Sequence, residues 1–392
     1  MEWTTLAKDY FWFFRNRCSE LPQNHVRLLN SSCIFSVGSN SKNHYGGTMS
    51  IDITARKEPE PLEQLFQICL GFIPAICLNV VAKLGVADFL AKGPQSVADL
   101  AQATNSNKDA LGRIMRAVST FGVFKELEAN RFEQTPASDL LRSDHPKSLR
   151  PFVLFFPDPL HFRCYSNLMH SVKTGETTGK VTVGMELFDY LKGHPEDSET
   201  FNAAMVNLSQ MFVPAAIDAY DFSETQTLVD VGGGHGAVLA TVLQKFPKMK
   251  GILVDIDHVV AGAHSYLKST GVADRCQVIA RDIFLSVPEG GDTYIMKNII
   301  HDWNDERSVT ILKNVRAALG KRDRGKLLLL EMVIGPGGNP LGYLSDIEMM
   351  VLPGGRERSE EEYRDLFARA GFRLTRVVPT QSLQSVIEAV PA

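Results

Sequence analysis

Through the second half of the chain, short apolar runs alternate with amphipathic segments. TLVDVG (227–232), GILVDI (251–256), CQVIARDIF (276–284), DTYIMKNII (292–300) and KLLLLEMVI (326–334) read as buried strands. Between them AVLATVLQKF, VVAGAHSYLKS and VTILKNVRAAL carry apolar residues at helical spacing. Continuous apolar strands alternating with helices describe a parallel sheet covered on both faces. A last helix, SEEEYRDLFARAG, and two further strands, RLTRVV and SVIEAV, complete the pattern. The expectation for 196–392 is a doubly wound, mostly parallel seven-stranded α/β sheet.

Residues 59–195 read as mostly helical. Val97, Leu100 and Ala101 mark one helix, and Leu111, Ile114, Met115 and Val118 recur in the next. ELEANRFEQT then resembles a hairpin around Ala129-Asn130, so the order is that of a winged helix. A DNA-reading use is one possibility for such a unit. The stretch KDALGRIMRAV offers only Lys108, Arg113 and Arg116, however, and a structural or dimerising use fits better. The run Leu65 to Val86 is nearly long enough to span a bilayer. Gln67, Pro74, Asn79 and Lys83 interrupt it, which favours a helix buried between subunits or domains. Residues 1–58 lack clear periodicity and read as a poorly ordered extension, without a secretory signal.

Composition narrows the class. The 392 residues suffice for two domains, and 44% hydrophobic with 22% charged residues describes a soluble globular protein. A formal charge of −4 gives no footprint for nucleic acid. Cys18, Cys33, Cys69, Cys77, Cys164 and Cys276 are scattered, with no CxxC pair. That argues against a zinc site or a disulfide framework and fits a reducing, cytoplasmic compartment.

The glycine-rich turn VDVGGGHGAV (229–238) joins the first strand to its helix. Gly232, Gly234 and Gly236 let the backbone approach a ligand, and the helix start offers free N–H groups. Asp255, ending the second strand, can accept both hydroxyls of a ribose. Two cofactors fit. A nicotinamide dinucleotide wants GxGxxG, which Gly232, Gly234 and Ala237 approximate. S-adenosylmethionine wants an acid before a GxGxG turn, and Asp230 supplies it. Asp282, with Ile283 beside it, is placed for an adenine. The additional acids tilt the reading toward S-adenosylmethionine.

MKNIIHDWNDE (296–306) begins as a strand and breaks into His301-Asp302-Trp303. His301 could be an ordinary turn histidine or a proton acceptor. Glu331 is harder to dismiss, because a carboxylate after four leucines is costly without a partner. Glu357, inside RERSEEE, could be a solvated helix start. Asp302, Asn304, Asp305 and Glu306 could simply cap and charge a helix.

Taken in order, the glycine turn, Asp255, RDIF, MKNIIHDW, LLLLEM and GGRERSEEEY resemble the S-adenosylmethionine-dependent O-methyltransferases of the caffeic acid and hydroxyindole type. The resemblance runs from about Leu62 to the C-terminus and suggests a microbial small-molecule member. It implies a winged-helix dimerisation domain, a homodimer and S-adenosylmethionine as cofactor. His301 matches the family's catalytic base, and Glu331 and Glu357 match its acidic partners. Gly232, Asp255, Asp282 and Lys297 match cofactor-contact positions, with Asp230, Gly234 and Ile283 beside them. Asp302 and Trp303 complete the signature and shape the site.

The acceptor is expected to be a small aromatic hydroxyl compound, held between the domains by Phe155, His161, Phe162, Met205 and Met349, with Asp302 nearby. Each of these could equally be interdomain core. Two departures separate the chain from plant relatives: Asn298 stands where they usually carry Trp, and EMMVLPGG is one residue shorter. No metal cluster is legible. Methylation at nitrogen or carbon, a non-methylating use of the cofactor, a DNA-binding regulator and a nicotinamide dehydrogenase remain as alternatives.

Overall fold

The computed structural model describes residues 60–320, 325–336 and 339–392. The expected extension 1–58 lies outside them. The chain divides into two compact units, Met1–Arg142 and Ser143–Ala392.

In the first unit, helices Val97–Ala103 and Lys108–Ser119 each start on a side-chain cap. Ser96 accepts the Asp99 N–H and Asn107 accepts the Ala110 N–H. They are followed by the antiparallel pair β2 (Phe124–Leu127) and β3 (Arg131–Gln134), to which β1 (Gln95–Ser96) adds a third strand. The hairpin turns through Ala129 and Asn130, both at positive φ. Ahead of these lie helices Pro61–Leu70 and Phe72–Lys83, separated at Gly71. This stretch is long and apolar enough to cross a membrane. Within the protomer no residue of Pro61–Leu70 is buried and Leu62, Leu65 and Ile68 are exposed, whereas Asn79, Val81 and Ala82 of the second helix are buried.

The second unit contains β4 (Thr227–Val231), β5 (Lys250–Asp255), β6 (Cys276–Ala280), β7 (Thr293–Lys297), β8 (Lys326–Glu331), β9 (Phe372–Pro379) and β10 (Ser385–Pro391). They form one seven-stranded sheet of order β6-β5-β4-β7-β8-β10-β9, parallel from β6 to β8 and antiparallel at β10 and β9.

Alternation along each strand feeds two cores. Val229, Val231, Met296 and Leu329 pack with helices Asp305–Leu319 and Glu360–Arg369 on one face. Leu228, Leu253, Ile295 and Leu330 pack with Ala237–Lys245, Ala263–Ser269 and Pro195–Ala219 on the other.

The sequence reading placed the domain boundary after residue 195. The helices between 150 and 193 belong instead to the second unit. Helix Pro195–Ala219 packs on Arg150–Phe155 and on Leu187–Gly193, and Leu187 and Leu191 share a core with Val351 and Leu352.

Strand order reverses between β4 and β7, and all five parallel strands end at the same edge. An open α/β sheet of this kind binds ligands outside that edge, at the switch point. Val231, Asp255, Ala280, Lys297 and Glu331 are the last residues of those strands.

Candidate active site

His301 sits in the short turn Ile300–Asp302, just beyond β7, and is 5% exposed. Glu331, last in β8, fixes this turn. Its Oε1 accepts the Ile299 and Ile300 N–H groups at 3.1 and 3.0 Å, while Oε2 lies 3.6 Å from His301 Nδ1. Glu357 Oε1 faces the same Nδ1 at 2.9 Å and accepts the Ser345 hydroxyl at 2.6 Å. An ionised carboxylate can only accept, so Nδ1 carries a hydrogen, and in the neutral ring Nε2 is the proton acceptor. Asp302 Oδ1 is 3.6 Å from Nε2.

The helix Asp305–Leu319 is capped by Asn304, which accepts the Arg307 N–H. Helix Glu360–Arg369 starts at Ser359, which exchanges bonds with Glu362. Neither Asp302 nor Glu357 is a helix cap.

Three residues that build this cluster carry no signal in the sequence. Ser345 orients Glu357 as described, and Asp346 accepts the Glu357 N–H at 2.9 Å. Arg358, 1% exposed, donates to the Ile300 carbonyl at 3.0 Å, the Trp303 carbonyl at 2.8 Å and Asp305 at 2.8 Å. It ties the histidine turn to the next helix. Gly355 passes so close to that turn that a Cβ would collide with the His301 carbonyl oxygen, and the Arg356 N–H donates to this oxygen at 2.8 Å.

Burial opposes a charge on the His301 ring, but Glu331, Glu357 and Asp302 outweigh it and push the pKa up to about 10. Burial likewise pushes Glu331 up to about 7 and Asp302 up to about 6, against the pull of His301. His301 is therefore the proton holder of a net negative cluster. Glu331 Oε2 and Glu357 Oε2 are buried without hydrogen-bond partners. Ligand atoms of His301, Glu331 and Glu357 lie within 4.8 Å of one another, a spacing that could also gather round a cation.

Beside this cluster lies the glycine turn. Gly232 and Gly234 both have positive φ, at 69° and 59°. A Cβ on Gly232 would come within 2.6 Å of Ile299, so the glycine turn and the histidine turn are fitted together. A Cβ on Gly234 would meet nothing within 4 Å. Asp255 Oδ2 accepts the Gly234 N–H at 2.8 Å and Oδ1 the Ile256 N–H at 2.7 Å, which fixes the carboxylate at the strand end.

Asp230 is wholly buried. Its Oδ2 accepts the Leu239 N–H at 3.2 Å, its Oδ1 has no partner, and burial pushes it up to about 7. Lys297, ending β7, is pushed down to about 8 by burial, although Glu331 and Asp230 pull it upward. Asp282 is exposed and accepts the Phe284 N–H at 2.8 Å, closing the turn after β6 that also carries Ile283. Asn298 holds φ +53° and accepts a hydrogen bond from Gln384. An open cradle at Gly234, a fixed carboxylate at Asp255 and an orphaned oxygen on Asp230 fit a nucleoside with an amino-acid tail.

Of the expected acceptor residues, Phe155, Phe162, Met205 and Met349 are half-buried, whereas His161 is buried with both ring nitrogens engaged, by Asp158 and Glu348. All of these belong to the second unit, as do His301 and the glycine turn.

The chain is similar to known proteins over most of its length. An O-methyltransferase domain matches residues 165–373, and an O-methyltransferase dimerisation domain matches 66–144. A phenazine O-methyltransferase of Lysobacter antibioticus is 40% identical over 328 residues, covering 83% of this chain and 95% of that protein. An 8-amino-8-demethylriboflavin N,N-dimethyltransferase of Streptomyces davaonensis is 37% identical, covering 86% and 97%. Among solved structures, a methyltransferase of calicheamicin biosynthesis in its S-adenosylhomocysteine-bound form superposes with a TM-score of 0.73 at 34% identity, covering 86% of this chain and all of that one.

Proposed function

The chain belongs to the S-adenosylmethionine-dependent O-methyltransferase family, and from that premise we propose that it methylates a hydroxyl of a small aromatic acceptor with His301 as general base. The observation that carries the reading is the hydrogen bond of His301 Nδ1 to buried Glu357 at 2.9 Å, which leaves Nε2 to take a proton. When bound, S-adenosylmethionine supplies a methyl group already activated by its sulfonium centre. Gly232, Gly234 and Asp255 would hold it, with Asp230, Asp282, Ile283 and Lys297 around them.

This chain's residues then have two tasks. One is to hold the acceptor oxygen in line, an effect that can reach effective molarities of about 10⁵ M or more. Phe155, Phe162, Met205, Met349 and Asp302 are the proposed acceptor wall. The other is to take the hydroxyl proton onto Nε2 as the oxygen forms its new bond to carbon. A phenol ionises near pH 10, so it matches His301, and the proton is shared between them at little cost. The imidazolium that results is held by Glu357 and Glu331.

The sign of the pH dependence follows. His301 lies above its ordinary value, so the share of enzyme whose free ring is neutral and able to accept grows as pH rises toward about 10. kcat/KM therefore rises with pH along a limb set by His301. Glu357→Gln removes one carboxylate and moves that limb to lower pH by about one pH unit or more. A limb that does not move would separate Glu357 from the proton step.

Cofactor binding is checked by calorimetry with S-adenosylhomocysteine. Asp255→Asn keeps the shape but loses the charge-assisted ribose bonds, and is expected to weaken binding by about tenfold or more. Equal affinity of the two proteins would remove Asp255 from the site. Incubation with methyl-labelled cofactor and a panel of hydroxylated and aminated aromatics tests the reaction itself, with label on oxygen as the expected result. Transfer to nitrogen alone would favour the chemistry named for the Streptomyces davaonensis relative.

The exposed apolar face of Pro61–Lys83 lies at the start of the matched dimerisation domain. It supports a homodimer; a cytoplasmic location without nucleic-acid or membrane partners is proposed as part of the same reading.

A further inference from the structure

A second buried histidine, which the chemistry above does not use, is also held between carboxylates. His161 lies in helix Pro159–Ser166 and is 4% exposed. Asp158, the cap of that helix, accepts the His161 backbone N–H at 2.8 Å and faces Nδ1 at 3.0 Å. Nε2 faces Glu348 Oε1 at 3.1 Å, and Glu348 Oε2 accepts the Tyr165 hydroxyl at 2.5 Å. The Phe155 ring packs edge-on to the imidazole at 4.5 Å. Burial works against a charge here, but Asp158 and Glu348 prevail and push the ring up to about 9.

Both ring nitrogens and both Glu348 oxygens are engaged within the protein, so the cluster is a strut. What it grips is helix Pro340–Val351. Ser345, three residues before Glu348, is its neighbour on the helix surface, and Asp346 follows it. These are the two residues that hold Glu357, by its carboxylate and by its backbone N–H. Thr177 pins the far end of the helix through the Val351 carbonyl at 2.7 Å.

We propose that His161 is a positioning residue: by holding Glu348 it sets the rotation of helix Pro340–Val351, and thereby the seat of Glu357 on His301. Its effect on rate rests on His301 being the base; its effect on geometry does not. His161 acts through four groups on three elements: Asp158 and Tyr165 on its own helix, Glu348 on the gripped helix, and Glu357 beyond. His301 in turn is faced by Glu331 from β8, Glu357 from the loop and Asp302 from its own turn.

The test uses the full-length protein with ¹³C-labelled histidine rings. The His301 resonance is assigned by its loss in His301→Gln and titrated in wild type, in His161→Phe and in Glu348→Gln. The first variant keeps a ring of similar bulk; the second keeps the shape of the carboxylate. The expected result is a lower His301 titration midpoint in both variants, because a displaced Glu357 holds the imidazolium less well. kcat is expected to fall about tenfold, with S-adenosylhomocysteine affinity within about twofold of wild type. Melting curves report whether each variant folds. A midpoint that stays or rises in the folded variants overturns the proposal, whatever the rate does. If instead His301→Gln keeps the wild-type rate, the base assignment fails, and the midpoint shift still decides the role of His161.

Discussion

His301→Gln is expected to lower kcat/KM for methyl transfer to a phenol by about 10²–10⁴-fold, the range that a positioned general base contributes. Glutamine can still donate to Glu357, but it offers no basic nitrogen where Nε2 stood. The proposed cofactor site is built from other residues, so S-adenosylhomocysteine affinity is expected to stay within about twofold, with the loss falling on the chemical step. Removing the ring also strips two wholly buried carboxylates, Glu331 and Glu357, of their cation. They answer by taking up protons, because an unpaired buried charge is expensive. The variant should therefore fold at neutral pH and below and lose stability as pH rises. Steady-state kinetics and melting curves across pH check both statements, and a kcat/KM within tenfold of wild type would contradict the first.

Gly355→Ala is expected to do comparable damage without touching any group that reacts. The added Cβ would occupy the space of the His301 carbonyl oxygen, which also accepts the Arg356 N–H. Backbone meets backbone here, so neither side can yield by a rotamer change. The histidine turn must shift, and a displacement of about 1 Å at a reacting group can cost about 10²-fold in rate. Overpacking of this kind costs about 1–3 kcal/mol of stability. The comparison is activity per folded molecule, with folding followed by melting temperature. Wild-type activity in Gly355→Ala would mean that the turn tolerates movement and that the tight seat of His301 is not part of the chemistry.

The sheet was legible because each strand is an apolar run flanked by turn residues, and the periodicities of strand and helix differ. Strand ends were less so. CQVIARDIF stops at Ala280, where Asp282 folds back on the Phe284 N–H, and KLLLLEMVI stops at Glu331, whose carboxylate is spent on the histidine turn. Glu331 announced itself, since a carboxylate after four leucines demands a partner. Arg358 did not: inside RERSEEE it looks like surface charge, and only the fold carries it to the carbonyls of Ile300 and Trp303. Ser345 and Asp346 were invisible for the same reason, being ordinary helix residues until Glu357 is set against them. His161 is the extreme case. Its partner Glu348 lies 187 positions away, and no local pattern links the two. The contact division at residue 143 was not legible because helical text continues across it without a change of composition, while the packing partners change.

The central claim, that His301 removes the acceptor's proton as methyl transfer proceeds, is tested most directly by a series of phenolic acceptors of graded acidity. Wild type and His301→Gln are compared at one pH near 8 under single turnover with saturating S-adenosylmethionine. If the histidine serves as a base, the variant's deficit is largest for phenols that ionise near 10 and shrinks toward unity for those already ionised at the assay pH. A deficit of the same size across the whole series would contradict the account, and would make His301 a residue that shapes the site without moving the proton.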